Sequence, residues 1–180
     1  MSKIINLFGG PGTGKSGISS GLTYELKRRH ITCDNPYEFP KVLAWSNSVS
    51  EISDQLYVFA NQHRGIARSY GKVDYIILDS PITLSLVYKS YYNDGYPSNI
   101  YKKSFYDMVL DVFNSYDNIN FFLKRANTNH NNNERFQTLE ESLKLDDQIR
   151  GVLDEYKIDY HNIDMGEEPL LQILDKLNIK

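Results

Sequence analysis

The chain has 180 residues, 41% of them hydrophobic, and a formal net charge of −3 at pH 7. This length and composition predict one globular domain with its own core. The single cysteine, Cys33, excludes an internal disulfide framework, and no cluster of cysteines and histidines has zinc-site spacing. The charge favours small-molecule substrates over long nucleic acid, although residues 27–30 form a local basic run. Because no apolar stretch is long enough to span a bilayer, we expect a soluble, cytoplasmic protein without a membrane partner.

The beginning of the chain follows the order strand, glycine-rich loop, helix. Lys3–Phe8 is a short run rich in β-forming residues. Ile18, Leu22 and Leu26 recur at four-residue spacing, which predicts the buried face of a helix. The sequence GGPGTGKS, residues 9–16, forms the loop between these two elements.

This connecting segment matches the phosphate-binding motif G-x-x-x-x-G-K-[ST]. Glycines let successive amide N–H groups point at phosphate oxygens, in conformations that side chains would obstruct. Lys15 would reach the β and γ phosphates, the Ser16 hydroxyl would bind Mg²⁺, and the helix dipole would add positive potential. The alternative, an accidental glycine-rich turn, does not explain why the motif lies between a strand and a helix. The predicted cofactors are therefore ATP and Mg²⁺, and the residues expected to contact them are Gly10, Gly12, Thr13, Gly14, Lys15, Ser16 and Gly17.

The rest of the chain alternates between strand and helix patterns. Further strands are predicted at residues 31–33, 73–78, 119–123 and 160–163. Helices are predicted at residues 37–45, 52–70, 83–92, 98–116, 138–156 and 168–177. Strands separated in this way are too far apart for hairpins, so they imply right-handed crossovers and a parallel sheet. The prediction is a three-layer α/β fold with helices on both faces of the sheet.

Asp79 ends the most apolar predicted strand, residues 73–78. Ligands of open α/β sheets bind at the carboxyl ends of the strands, so this carboxylate is expected at the phosphate site. It would hold Mg²⁺ directly or through water, or lie beside the phosphoryl acceptor. The alternative is that Asp79 caps the next helix, since residues 79–81, DSP, are also a good helix start. The predicted metal-binding pair is Ser16 and Asp79.

Two arginines flank an Asn-rich tract that reads as a loop. Kinases that act on small acceptors need a lid that brings arginines over the transferred phosphoryl group and excludes water. Arg125 and Arg135 are placed for this role, and we predict a lid at about residues 125–138. The alternative for each arginine is a solvated surface charge. A chain of this length also leaves little room for the helical lid domain and interface arginines of an AAA+ motor.

The acceptor is expected to bind in the region of about residues 34–72. A carboxylate there could take the proton of an attacking hydroxyl, a glutamine can pair with two edges of a base, and an aromatic ring can stack on it. Glu38 and Gln62 are the preferred pair. The alternatives are a core position for Trp45 and a simple surface position for His63. The predicted substrate-binding residues are Glu38, Trp45, Gln55, Gln62 and Arg64.

Several segments besides the phosphate motif resemble a group of small P-loop proteins, encoded largely by bacteriophages, that are described as AAA-type ATPases or nucleotide kinases. The resemblance spans nearly the whole chain. It rests on DQLYVFANQHR (54–64), DYIILDSPITLSLVY (74–88), NINFFLKR (118–125) and ERFQTLEES (134–142). It implies the fold of nucleoside and nucleotide kinases, with a five-stranded parallel sheet in the order 2-3-1-4-5.

The same resemblance suggests roles for individual residues. Asp79 occupies the position of the acid in the Asp-Arg or Glu-Arg motif of these kinases. Glu38 with Trp45 is similar to the strand-two acid and tryptophan of deoxynucleoside kinases. Either Gln55 or Gln62 would correspond to their base-reading glutamine.

The sequence also departs from these kinases at two positions. Ser80 stands where they place an arginine after the acid, so a phosphoryl clamp must come from elsewhere, with Arg64 and Arg125 as candidates. Glu134 stands where related sequences have a glycine before the lid arginine. Both departures concern the substrate rather than the fold.

The leading hypothesis is an ATP-dependent kinase whose acceptor is a nucleoside or nucleoside monophosphate, with a modified deoxynucleotide of phage metabolism as one candidate. One alternative is a kinase of a hydroxymethylated base within DNA, and only in this alternative is DNA an expected partner. Another is a nucleotide-dependent regulatory ATPase without a small acceptor. The sequence leaves open whether the chain forms a homodimer. The predicted catalytic residues are Lys15, Asp79, Arg125, Arg135 and Glu38.

Overall fold

The computed structural model describes residues 1–46, 48–92, 99–126 and 138–179, and within them parallel strands form one five-stranded sheet. The strands are β1 (Lys3–Phe8), β2 (Cys33–Asp34), β3 (Tyr75–Leu78), β4 (Asp117–Lys124) and β5 (His161–Asp164). Their order across the sheet is β2-β3-β1-β4-β5, and each neighbouring pair is parallel. The predicted order 2-3-1-4-5 is therefore confirmed.

Helices cover both faces of this sheet. They are α1 (Lys15–Arg28), α2 (Phe39–Trp45), α3 (Val49–Ser53), α4 (Gln55–Ser69), α5 (Leu84–Tyr92), α6 (Asn99–Asn114), α7 (Leu139–Glu155) and α8 (Pro169–Lys176). In the part of the chain that the structure describes, none of them has the length and hydropathy needed to cross a membrane.

The core consists of two apolar layers, one on each face of the sheet. Successive side chains of β1 point to opposite faces, so Ile4 packs in one layer and Ile5 in the other. Leu145 of α7 joins the layer of Ile4, and Leu22 of α1 joins the layer of Ile5. The predicted three-layer α/β architecture is thus confirmed.

The helix predicted over residues 52–70 is interrupted at Asp54. The backbone of Asp54 is not helical, with φ −77° and ψ 88°, and the Asp54 side chain accepts a hydrogen bond of 3.1 Å from the backbone N–H of Tyr57. This contact satisfies one of the free amides at the start of α4, as a helix cap does. Because α4 restarts here, Gln55 lies in its first turn.

Candidate active site

The loop between β1 and α1 takes backbone conformations that require glycine. Gly9, Gly12 and Gly14 have φ angles of 146°, 87° and 88°, a region that residues with a side chain rarely adopt. Gly14 occupies the N-cap position of α1, and among the described residues no side chain accepts from the helix start there. The amides at this helix terminus are therefore available to an anion.

Lys15 begins α1 and folds its side chain back over this loop. Its ammonium donates hydrogen bonds to the carbonyl oxygens of Gly9 at 2.7 Å and Gly10 at 2.8 Å. Burial lowers the pKa of Lys15 below its usual value, whereas the nearby carboxylates of Glu38 and Asp79 oppose this shift. A positive charge held in this way inside a glycine loop suits a polyphosphate.

Three carboxylates lie close enough to Lys15 to raise its pKa, and Glu38 and Asp79 have the largest effects. Asp79 directly follows β3 and is 8% exposed, and β3 pairs with β1, whose carboxyl end leads into the loop. Glu38 precedes α2, and burial raises the pKa of Glu38 to about 7, with a further increase from the charge of Asp79. Lys15 and Lys41 oppose the increase. The fold thus brings Lys15, Asp79 and Glu38 together, and Glu38 has the pKa expected of a base that works near neutral pH.

A cleft of about 410 Å³ extends from the loop to helices α2, α4 and α5. This volume falls within the range of about 300–1,000 Å³ that is usual for small-ligand sites. Glu38 joins the two ends of the cleft: it precedes α2, which lines the helical end, and its charge interacts with that of Lys15, which lines the loop end. It also lines a small neighbouring cavity together with Asp79. The loop end is lined by Gly12, Gly14, Lys15, Ser16 and Gly17, and the helical end by Trp45, Gln55, Gln62, Ser85, Tyr88 and Tyr92.

Gln62 is held in one orientation by Ser80. Its amide nitrogen donates to the Ser80 carbonyl oxygen at 3.0 Å and to the Ser80 hydroxyl oxygen at 2.8 Å. Because these two bonds use both amide hydrogens, Gln62 has only its carbonyl oxygen, an acceptor, to offer a ligand. The pairing of Gln62 with a base stays a prediction, in which the carbonyl oxygen of Gln62 would make the contact. Ser80, noted in the sequence only as a departure from related kinases, has this orienting role.

Gln55 and Ser85 provide polar atoms in the buried part of the cleft. Gln55 is 2% exposed, and its amide nitrogen donates to the Ile52 carbonyl oxygen at 2.7 Å. The Ser85 hydroxyl is buried and has no hydrogen-bond partner among the described residues. Sequence reasoning missed Ser85. The signal that could have found it is the helical spacing of Ser85, Tyr88 and Tyr92, which places three cleft residues on one face of α5.

The other residues considered for acceptor binding lie at the rim of the cleft or outside it. Trp45 is 67% exposed at the cleft rim, with the Lys41 ammonium 4.8 Å from its ring centroid, so the core alternative is wrong. Arg64 is exposed and lies outside the set of described residues that line the cleft. His63 shares a 2.9 Å hydrogen bond with the Tyr116 hydroxyl, away from the phosphate loop.

The two predicted lid arginines have different outcomes. Arg135 and residues 127–137 of the predicted lid lie outside the described residues. Arg125 follows β4 directly, and its Nε and Nη2 donate to one carboxylate oxygen of Asp146 at 3.1 and 3.0 Å. Its Nη2 also donates to the Pro11 carbonyl oxygen at 2.9 Å. Arg125 therefore contacts the phosphate loop directly at Pro11 and also pairs with Asp146, a residue that the sequence did not single out.

The strand order, the glycine loop between β1 and α1, and the acid after β3 define a P-loop protein with the nucleotide-kinase fold. Residues 4–168 match the model of an AAA domain family. The chain belongs to this family. No curated protein matches the sequence.

Solved structures of low sequence identity share this fold. A NadR protein in complex with NAD and AMP-PNP has a TM-score of 0.74 at 12% identity; the match covers 99% of this chain but 50% of that one, so this chain spans half its length. Deoxyadenosine kinase from M. mycoides with bound dATP has a TM-score of 0.64 at 17% identity, covering 97% and 99% of the two chains. Thymidylate kinase from Ehrlichia chaffeensis has a TM-score of 0.65 at 16% identity, covering 98% and 100%. All three are similar in fold.

Proposed function

We propose that the chain is an ATP-dependent kinase that transfers the γ-phosphoryl group to a nucleoside or nucleoside monophosphate. The observation that carries this proposal is the position of Glu38, where the phosphate loop meets the helical half of the cleft, combined with its raised pKa. A base at this junction can take the proton of an acceptor hydroxyl that binds beside the nucleotide. A hydrolytic ATPase can use the same carboxylate to activate water, so the helical half of the cleft, which hydrolysis does not require, is what favours a second substrate.

The residues of the loop fit Mg-ATP. The amides at the start of α1 and the Lys15 ammonium would bind the triphosphate, and the Ser16 hydroxyl with Asp79 would hold Mg²⁺. Within the described residues no cluster of three or more His, Cys, Asp or Glu side chains could hold a metal by itself. The ion would therefore bind together with the nucleotide, with phosphate oxygens among its ligands. The bound Mg²⁺ would neutralise part of the negative charge on the phosphates.

The helical half of the cleft would orient the acceptor. Gln62 offers an acceptor oxygen, and Trp45 offers an aromatic face at the rim. With a nucleoside acceptor, Glu38 would take the proton of the attacking hydroxyl, whereas a monophosphate would attack through a phosphate oxygen that is already ionised. A bond then forms between the attacking oxygen and the γ phosphorus, while the bond from the γ phosphorus to the β–γ bridging oxygen breaks and ADP leaves.

The candidate acceptors include a modified deoxynucleotide of phage metabolism, and phage origin is part of the proposal. The cleft volume and the net charge of −3 both favour a monomeric acceptor over DNA. The DNA-acceptor alternative keeps the same ATP site and differs only in the second substrate. It can therefore be tested in the same assay.

The test is ADP release from Mg-ATP against a panel of nucleosides, deoxynucleosides and monophosphates, with single-stranded DNA carrying hydroxymethylated bases as a further arm. Lys15→Ala serves as the blank because it removes the ammonium from the loop. Stimulation by a monomer, absent in the blank, is the expected result. Stimulation by DNA alone would show that the acceptor is a base within DNA and not a monomer. Hydrolysis that no acceptor stimulates would contradict the kinase proposal and favour the regulatory ATPase.

A further inference from the structure

Asp146 of α7 contacts two different partners with its two carboxylate oxygens. Oδ1 accepts a hydrogen bond of 2.5 Å from the backbone N–H of Gly10, in the phosphate loop. Oδ2 accepts both hydrogen bonds from Arg125, whose guanidinium also donates to the carbonyl oxygen of Pro11. Two consecutive residues of the loop are therefore fixed from outside, one through its N–H group and the next through its carbonyl.

The fit between α7 and the loop is close. A Cβ atom added to Gly10 would lie 2.8 Å from Oδ1 of Asp146 and 2.8 Å from the backbone oxygen of Ser142. Helix α7 is anchored in the core by Leu145 and Ile149, which are 0% and 1% exposed. Asp146 thus projects from a rigid support, which is what a residue that determines the geometry of a neighbouring site requires.

The negative charge of Asp146 would disfavour phosphate binding if Arg125 did not neutralise it. Asp146 is close enough to the phosphate site for its charge to raise the pKa of Lys15. An unpaired negative charge at that distance would repel a bound triphosphate. The side chains of Arg125 and Asp146 are 14% and 13% exposed, so solvent screens this ion pair less than a surface pair.

We propose that Arg125 and Asp146 form a loop clamp, which holds the first half of the phosphate loop in its nucleotide-binding conformation. Asp146 positions Gly10, whereas Arg125 positions Pro11 and cancels the charge of Asp146. Both are positioning residues, so Arg125 acts on the loop and not on the transferred phosphoryl group, in contrast to the role predicted from the sequence. The inference rests on the proposed binding of ATP by this loop, but not on the identity of any acceptor.

The test measures Mg-ATP affinity without an acceptor, by displacement of a fluorescent ATP analogue. Arg125→Met leaves the carboxylate unpaired beside the phosphates and is expected to raise the Kd at least about tenfold. Adding Asp146→Asn should restore most of the affinity, because asparagine keeps an acceptor for Gly10 without the charge. Adding Asp146→Leu instead should not restore it, because the Gly10 N–H then loses its partner.

The matched control is Lys144→Met, which removes an ion pair with Glu140 on the same helix. These side chains are 69% and 79% exposed, so the Kd should not change. Should Arg125→Met not fold, Arg125→Lys replaces it; this variant keeps the charge, loses one of the two hydrogen bonds to Asp146, and should raise the Kd by a smaller factor.

Two results would overturn the loop clamp. One is an Arg125 variant with unchanged ATP affinity but reduced turnover with an acceptor, which would place Arg125 on the phosphoryl group. The other is a Kd that stays high in the Arg125→Met/Asp146→Asn double variant. If the unmodified chain binds no Mg-ATP, the proposed function fails instead, and the two failures are distinguishable.

Discussion

The two halves of the cleft are built from different parts of the chain. The phosphate half consists mainly of backbone: glycine conformations, the amides at the start of α1, and carbonyl oxygens that hold Lys15. The acceptor half, which is the helical end of the cleft where we propose that the acceptor binds, consists of side chains from α2, α4 and α5, such as Trp45 and Gln62. Backbone geometry suits a ligand part that is common to many enzymes, whereas side chains can specialise for one acceptor. Variants in the two halves should therefore affect different kinetic constants.

The largest expected effect is that of Glu38→Gln, at the junction of the two halves. Removal of a general base lowers turnover by about 10²–10⁴-fold, while ATP affinity should change little because glutamine is neutral and of the same size. In the unmodified enzyme, kcat/KM should fall as the pH drops below about 7, because Glu38 becomes protonated. The measurement is a pH–rate profile with the identified acceptor. A profile that stays flat from pH 6 to 8 would remove Glu38 from the chemistry.

The same substitution should stabilise the fold at alkaline pH. The pKa of Glu38 is raised in the folded state from 4.5 to about 7, so stability provided by the protonated carboxyl is complete below pH 4.5 and is lost as the pH rises through 7. Glu38→Gln avoids this loss, and after allowance for partial exposure it should add about 2 kcal/mol to the free energy of unfolding at pH 8. Urea unfolding without nucleotide at pH 4.5 and pH 8 measures it. An equal gain at both pH values would contradict the burial effect.

Gly10→Ala tests the phosphate half. The added methyl group would meet Asp146 Oδ1 and the Ser142 backbone oxygen at 2.8 Å, so the loop and α7 must separate. We expect ATP affinity to fall about tenfold, the size of one lost charge-assisted contact, with the KM of the acceptor unchanged. The control is Gly151→Ala on α7, since its added Cβ meets no described atom within 4 Å. Equal ATP affinity in both variants would show that the close contact between α7 and Gly10 does not affect nucleotide binding.

The two halves also differ in how far the sequence predicts them. The glycine motif and the acid after β3 are local patterns, so the sequence predicts the positions of the loop, Lys15 and Asp79, whereas their roles stay predictions. The strand order came from the resemblance to nucleotide kinases and is confirmed. By contrast, the break at Asp54 was hidden because apolar periodicity continues across a single non-helical residue. The contact between Gly10 and Asp146 joins residues 136 positions apart, and no local pattern reports it.

Ser80→Ala is the smallest predicted effect and concerns the acceptor half alone. It removes the hydroxyl that accepts from Gln62, but the Ser80 carbonyl still holds the amide by one hydrogen bond. A single neutral hydrogen bond contributes about 0.5–1.5 kcal/mol, so the KM of the acceptor should rise about threefold to tenfold, with ATP affinity unchanged. Gln62→Glu is the companion variant: it keeps an acceptor oxygen but brings the carboxylate against the Ser80 carbonyl, and should weaken acceptor binding further. If Ser80→Ala instead lowers ATP affinity and spares the acceptor, Gln62 serves the phosphate half, and the division between backbone and side-chain recognition does not hold at this position.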